Sequence, residues 1–177
     1  MHGANRLGGN GVAESTVFGG IAGDGMAAFI AGRPRPQLSA AALEAAAARC
    51  AAPLGRAGGA EVYAIQRELR DLMWERAGLV RDAEGLGVAA VTLERLAERL
   101  EVVGVPGHGS LNTAWQDWLN LDSQLTAAQL VVASALARRE SRGGHFRTDF
   151  PFDDDAFAAH TVIRPGTGEH VELERWN

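Results

Sequence analysis

Between Ala60 and Glu140, apolar side chains return at alternating steps of three and four residues in three successive runs, a rhythm that leaves few folds open. The first run, about Ala60 to Ala77, carries Val62, Ile65, Leu69, Leu72 and Met73 on one face. The second, about Glu84 to Val103, repeats Leu86, Ala90, Leu93, Ala97 and Leu100; the third, about Asn112 to Glu140, places Trp118, Leu121, Leu125, Ala128, Val132 and Ala135 on one stripe. A stripe of this period is one face of an α-helix and needs a facing partner. Short connections end the first two runs: Gly78 as a left-handed terminator, then Gly104 to Ser110 as a loop. Three such helices bury their stripes most economically against one another, so the expected fold is mainly α, an antiparallel three-helix bundle of the spectrin-repeat-like kind.

The flanks read differently. Val12 to Ala31 is an apolar helix interrupted by Gly19, Gly20 and Gly23, each costing roughly 0.8 to 1 kcal/mol against alanine in a helix interior. Such glycines fit a helix that another backbone or a cofactor approaches closely. Pro34 and Pro36 make Gly32 to Gln37 a linker, and Ser39 caps a further helix running to about Ala52. After Gly143 and Gly144 the helical period is lost. His160 to Arg164 and His170 to Arg175 flank Pro165-Gly166-Thr167-Gly168, the pattern of a terminal β-hairpin. The expected domains are residues 1–37, 38–145 and 146–177.

Composition removes several function classes. The 177 residues carry a net charge of −5, which argues against a nucleic-acid partner. Cys50 is the single cysteine, so neither a disulfide framework nor a cysteine zinc site can form. Asp153-Asp154-Asp155 with His145 and His160 lacks a recurring ligand spacing, and no metal is expected there. No run approaches the apolar length of a membrane span, so no direct membrane insertion is expected. Ser141, His145 and Asp149 are near in sequence, but a hydrolase triad is a spatial arrangement and none is expected.

The segment that carries chemistry is His2-Gly3-Ala4-Asn5-Arg6-Leu7-Gly8-Gly9-Asn10-Gly11, a glycine-rich loop feeding a helix amino terminus. Unpaired amides and the helix dipole there favour an electronegative ligand atom, and Arg6 offers a planar fork of donors suited to a carboxylate. This run resembles the signature near the end of the flavin-binding domain in succinate dehydrogenase and fumarate reductase flavoproteins. L-aspartate oxidases are relatives with an altered form, closer to Ala-Ser-Asn where this chain has Gly8-Gly9-Asn10. Two further stretches are similar to that family in the same order: Leu72-Met73-Trp74-Glu75-Arg76-Ala77-Gly78-Leu79-Val80-Arg81, and Arg138-Arg139-Glu140-Ser141-Arg142-Gly143-Gly144-His145 with Asp149-Phe150-Pro151.

The resemblance implies the carboxyl-terminal part of a FAD-dependent enzyme that interconverts succinate and fumarate, with an amino-terminal remnant of the FAD-binding domain. It implies Arg6 as a ligand to the dicarboxylate substrate, and Asn10, Gly11 and Val12 as cofactor-binding residues, the last two through backbone groups at the flavin's pyrimidine edge. The family usually has serine where this chain has Gly11, so a hydroxyl role there is lost. The fingerprint Gly-x-Gly-x-x-Gly is missing from the chain; the flavin-binding half and capping domain are expected upstream of Met1, and the isolated chain is expected to be inactive and to bind no FAD. Cytoplasmic placement at the inner face of a membrane, through an iron–sulfur or membrane-anchor subunit, is the implied setting. A stand-alone helical module docking on such a partner stays open as a second reading, as does L-aspartate oxidase. The apolar helix after the loop is expected to seek cover, on a symmetry mate in a homodimer or by shifting from its family position.

Overall fold

A computed structural model of the chain describes residues 9–56, 60–164 and 171–175. The chain divides into two compact units, Met1–Ala45 and Ala46–Asn177. In the first, helix α1 spans Asn10–Ile30. Its large apolar side chains, among them Val17, Phe18, Ile21, Phe29 and Ile30, are all exposed. A Cβ built on Gly19, Gly20 or Gly23 would meet nothing within 4 Å, so nothing described in this chain exploits those glycines. Ser39 caps α2 (Ala40–Ala51) as its side chain predicts, accepting from the Ala42 amide at 3.3 Å.

The second unit holds the bundle. A 3-10 turn at Ala52–Gly55 leads to α3 (Ala60–Arg76), α4 (Ala83–Val102) and α5 (Thr113–Ala137). Polar contacts at one end give the directions. Arg99, near the end of α4, reaches Glu61 and Glu68 of α3 at 2.5 and 2.6 Å, so these helices are antiparallel. The Tyr63 hydroxyl donates to Asp117 at 3.0 Å, which puts the starts of α3 and α5 together. The three helices are therefore arranged up, down, up.

Val62, Ile65 and Leu69 from α3, Leu86, Leu93, Leu96 and Leu100 from α4, and Trp118, Leu121, Leu125 and Val132 from α5 are all buried. The stripe on α4 differs in detail from the sequence reading. Ala89 and Leu96 are fully buried, while Ala90 is only partly buried and Ala97 half-buried. The reason is that α4 packs against both neighbours, so its buried face is wider than one seam. Asp82 caps α4 through the Gly85 amide at 2.7 Å, and Asn112 caps α5 through the Trp115 amide at 3.0 Å.

Two glycines are fixed by crowding, one of them for a reason other than the expected one. Gly78 is absent from the positive-φ residues; a Cβ there would lie 2.4 Å from the Trp74 carbonyl oxygen. A Cβ on Gly104 would lie 2.1 Å from the Arg56 carbonyl oxygen, and the Val105 amide donates to Pro53 at 2.9 Å, so the 3-10 turn sits tightly on the α4–α5 connection. Beyond α5 the chain folds back irregularly before β1 (His160–Ile163) pairs antiparallel with β2 (Val171–Glu174), His160 opposite Glu174.

Candidate functional site

The glycine-rich loop crosses the edge of the described residues. Arg6 lies outside them, and so do residues 1–8 as a whole. Gly9 precedes α1 at φ 95°, with no side-chain hydrogen bond to the cap. A Cβ on Gly9 would meet nothing within 4 Å, which leaves the backbone open to close approach. The Val12 and Ala13 amides both donate to the Gly9 carbonyl at 3.2 Å. Asn10 and Gly11 stand ahead of those bonds, so their amides have no acceptor within the helix and face its positive dipole end. Helix α1 thus begins two residues earlier than the apolar pattern indicates. Gly11 is half-buried and Val12 is 73% exposed.

A second constellation lies in the other unit, where two separated stretches of sequence meet. The Arg81 backbone pairs with Phe146 and Thr148: its amide donates to the Phe146 carbonyl at 3.2 Å, and its carbonyl accepts from the Thr148 amide at 2.9 Å. Arg81 Nη1 lies 2.9 Å from His145 Nδ1. A guanidinium can only donate, so Nδ1 accepts and carries no proton. His145 Nε2 then donates to the Arg138 carbonyl, 3.1 Å away. Burial, reinforced by Arg81, Arg147 and Arg138, lowers the His145 pKa despite the opposing carbonyl bond. The imidazole is neutral, with its tautomer set by its neighbours.

Below it lies Arg147, 1% exposed. Its guanidinium clasps Asp149 at 2.9 and 2.6 Å, and Nη1 donates to the carbonyls of Ala135 and Leu136 at 3.1 and 3.2 Å. Those carbonyls belong to the last turn of α5, so Arg147 satisfies the helix end. Helix α5 itself stops at Ala137. Arg138 instead binds Glu140 and the carbonyls of Phe157 and Ala159. Asp149 also accepts from the Ala83 amide at 3.0 Å, tying the segment to the start of α4. The bond from Arg147 holds the Asp149 carboxyl below its ordinary value.

Glu140 is wholly buried. Burial alone would raise its pKa, but hydrogen bonds from Arg142, the Asp154 amide and Arg138 outweigh it and hold the carboxyl down at about 2. Ser141 is likewise engaged, donating to the Phe150 carbonyl at 2.8 Å and accepting from the Arg147 amide at 2.9 Å. Ser141, His145 and Asp149 therefore face three different sets of partners. This is a locked polar knot, with Arg81 from one family-like stretch fastened to His145 from another and bridged through its backbone to Arg147. Arg81 and His145 belong to those stretches; their pairing, and the burial of Arg147, have no signature in periodicity. Among the described residues no group of three or more His, Cys, Asp or Glu could hold a metal ion.

Residues 66–176 match the family described as fumarate reductase flavoprotein C-term. The chain is 36% identical to the fumarate reductase flavoprotein subunit of Mycobacterium tuberculosis, over 92% of this chain and 30% of that protein. It is 37% identical to the L-aspartate oxidase of Rhodospirillum rubrum, over 93% of this chain and 50% of that protein. A solved quinol–fumarate reductase with menaquinol molecules superposes with a TM-score of 0.82 at 33% identity, covering 98% of this chain and 32% of that one. The chain spans about 30% of the length of the first relatives it matches.

Proposed function

The chain belongs to the fumarate reductase flavoprotein carboxyl-terminal family, and from that membership we propose that it is part of a FAD-dependent flavoprotein interconverting succinate and fumarate. The observation that carries the reading is the start of α1. A glycine at φ 95° is followed by two amides without helical acceptors, immediately after the run His2 to Gly8. Neutral donors beside a backbone without a Cβ suit the acceptor-bearing edge of a flavin ring better than a metal or a bare cation. In the complete enzyme the Asn10 and Gly11 amides would hold that edge, with Val12, whose amide donates to the Gly9 carbonyl, packing beside it. FAD, when bound, exchanges a hydride with the carbon skeleton of the substrate.

Arg6 has the task of fixing one substrate carboxylate by two-point hydrogen bonding, which orients the carbon chain for the exchange. Residues 1–37 form the flavin-facing portion, 38–145 the helical domain and 146–177 the tail. The remaining flavin-binding surface comes from protein outside this sequence, and the isolated chain is colourless and inactive. An iron–sulfur subunit is the proposed electron partner. Among the described residues no helix is long and apolar enough to cross a membrane, so placement at the inner face of a membrane depends on partner subunits.

In the complete flavoprotein Arg6→Ala is expected to lower dicarboxylate turnover by more than about tenfold, the equivalent of a charge-assisted hydrogen bond. Its flavin absorbance should be unchanged. Wild-type kinetics in that variant would remove Arg6 from the site. The 37% identity to an L-aspartate oxidase favours one second reading. Assaying the complete protein with L-aspartate and with succinate separates the two, and turnover of succinate alone is expected.

A further inference from the structure

Arg81 is a half-buried cation with no carboxylate partner among the described residues. Three bonds fix its guanidinium, all to neutral acceptors: Nε donates to the Ala77 and Gly78 carbonyls at 3.1 and 2.8 Å, and Nη1 to His145 at 2.9 Å. The acids of the same knot are taken. Glu140 is shared by Arg138 and Arg142, and Asp149 pairs with Arg147, so three guanidiniums draw on two carboxylates before Arg81 is counted. Asp153 and Asp155 act on Arg142 and line a different cavity, beside Arg139. Burial lowers the Arg81 pKa with no charge to counter it.

Among the described residues, the sealed side-chain polar atoms without a bond are Arg56 Nη1 and Trp118 Nε1. Arg81 Nη2 has no bond either but is not sealed, so it reaches open space. The Ser134 and Thr161 hydroxyls are in the same position, unbonded among the described residues and not closed off. Arg81, Ser134 on α5 and Thr161 on β1 line one open cleft of about 380 Å³, a volume in the range of small-molecule sites. Arg138 lines it as well, and among the described residues no Asp or Glu does. Donors from three separate elements suit a ligand with three terminal oxygens and more than one negative charge, which is the description of a phosphate group. A carboxylate offers two oxygens in a plane and a single charge.

We infer that this cleft binds a phosphate group, its oxygens accepting from Arg81 Nη2 and from the Ser134 and Thr161 hydroxyls, with the Arg138 charge beside them. Two sources share that chemistry: inorganic phosphate, and the end of a phosphomonoester whose apolar part lies on Leu130 and Val131, both exposed at the rim of the cleft. The site uses residues of the helical unit alone and does not rest on the proposed redox reading.

The test is a titration of the isotopically labelled full chain with inorganic phosphate at fixed pH and ionic strength, followed by its backbone amide resonances. Phosphate is expected to shift the Ser134 and Thr161 amides saturably, and Ser134→Ala with Thr161→Val to weaken the binding by at least about tenfold while melting at the wild-type temperature. Arg81→Gln should abolish binding; since it also breaks the clasp with His145, the hydroxyl variant, which leaves that clasp intact, decides the matter. Unmoved amides overturn the proposal, and so does equal affinity in wild type and the hydroxyl variant. Acetate binding as tightly as phosphate would also overturn it, because two planar oxygens would then suffice. Phenyl phosphate separates the two sources: tighter binding than inorganic phosphate supports the site as one for a phosphomonoester, and equal or weaker binding supports it as one for the free ion.

Discussion

Arg147 concentrates much of the helical unit's order in one side chain. It ends α5, clasps Asp149 and, through Asp149, reaches the first amide of α4. Removing its guanidinium leaves the Ala135 and Leu136 carbonyls without their donor, at a cost of roughly 1 to 3 kcal/mol, while the exposed Asp149 returns to water. Arg147→Met is therefore expected to destabilise the bundle by about that much in urea unfolding, whereas Leu79→Ala, at an exposed residue, stays near wild type. Acid should act through two neighbours in sequence. His145 is neutral in the fold with a pKa below its ordinary 6.5, so the unfolded chain takes up a proton first, and stability falls as pH drops through 6.5 until the folded value is reached. Glu140, held near 2 against an ordinary 4.5, contributes stability that is complete above 4.5 and lost as pH falls toward 2. Melting temperatures across this range should show two declines, with His145→Gln removing the upper one.

At the scale of elements, the three- and four-residue rhythm gave α3, α4 and the start of α5 to within a residue or so, because burial of a stripe is a local pattern with a single geometric solution. The hairpin was equally readable from its turn. The end of α5 was not: Arg138 to Glu140 continue a helical composition, and what stops the helix is a guanidinium arriving from ten residues beyond Ala137. The candidate loop was readable as glycines before an apolar helix, yet the role proposed for Arg6 rests on motif order and not on any contact described. Helix α1 carries the clearest prediction at this scale. Val17, Phe18, Ile21, Phe29 and Ile30 are 47 to 66% exposed, more apolar surface than a helix leaves in water without consequence. Sedimentation of the isolated chain is expected to show self-association, and Ile21→Glu with Phe18→Glu to return it to monomer.

Across the whole molecule, α4 is the helix shared by both halves of the core, with Leu86, Ala89, Leu93 and Leu96 fully buried. Amide hydrogen exchange should be slowest there and fastest in α1, a gradient that mass spectrometry of peptic fragments would reveal. Leu93→Ala should cost about 2 to 5 kcal/mol, since two neighbouring helices cannot both collapse into one void. The clasp between Arg81 and His145 joins positions 64 residues apart. Closing so wide a loop is entropically slow compared with winding any of the helices inside it. During synthesis, then, the corner between α3 and α4 leaves the ribosome well before its fastener exists, and a chain stalled ahead of residue 145 would hold its three helices by their apolar stripes alone at that corner.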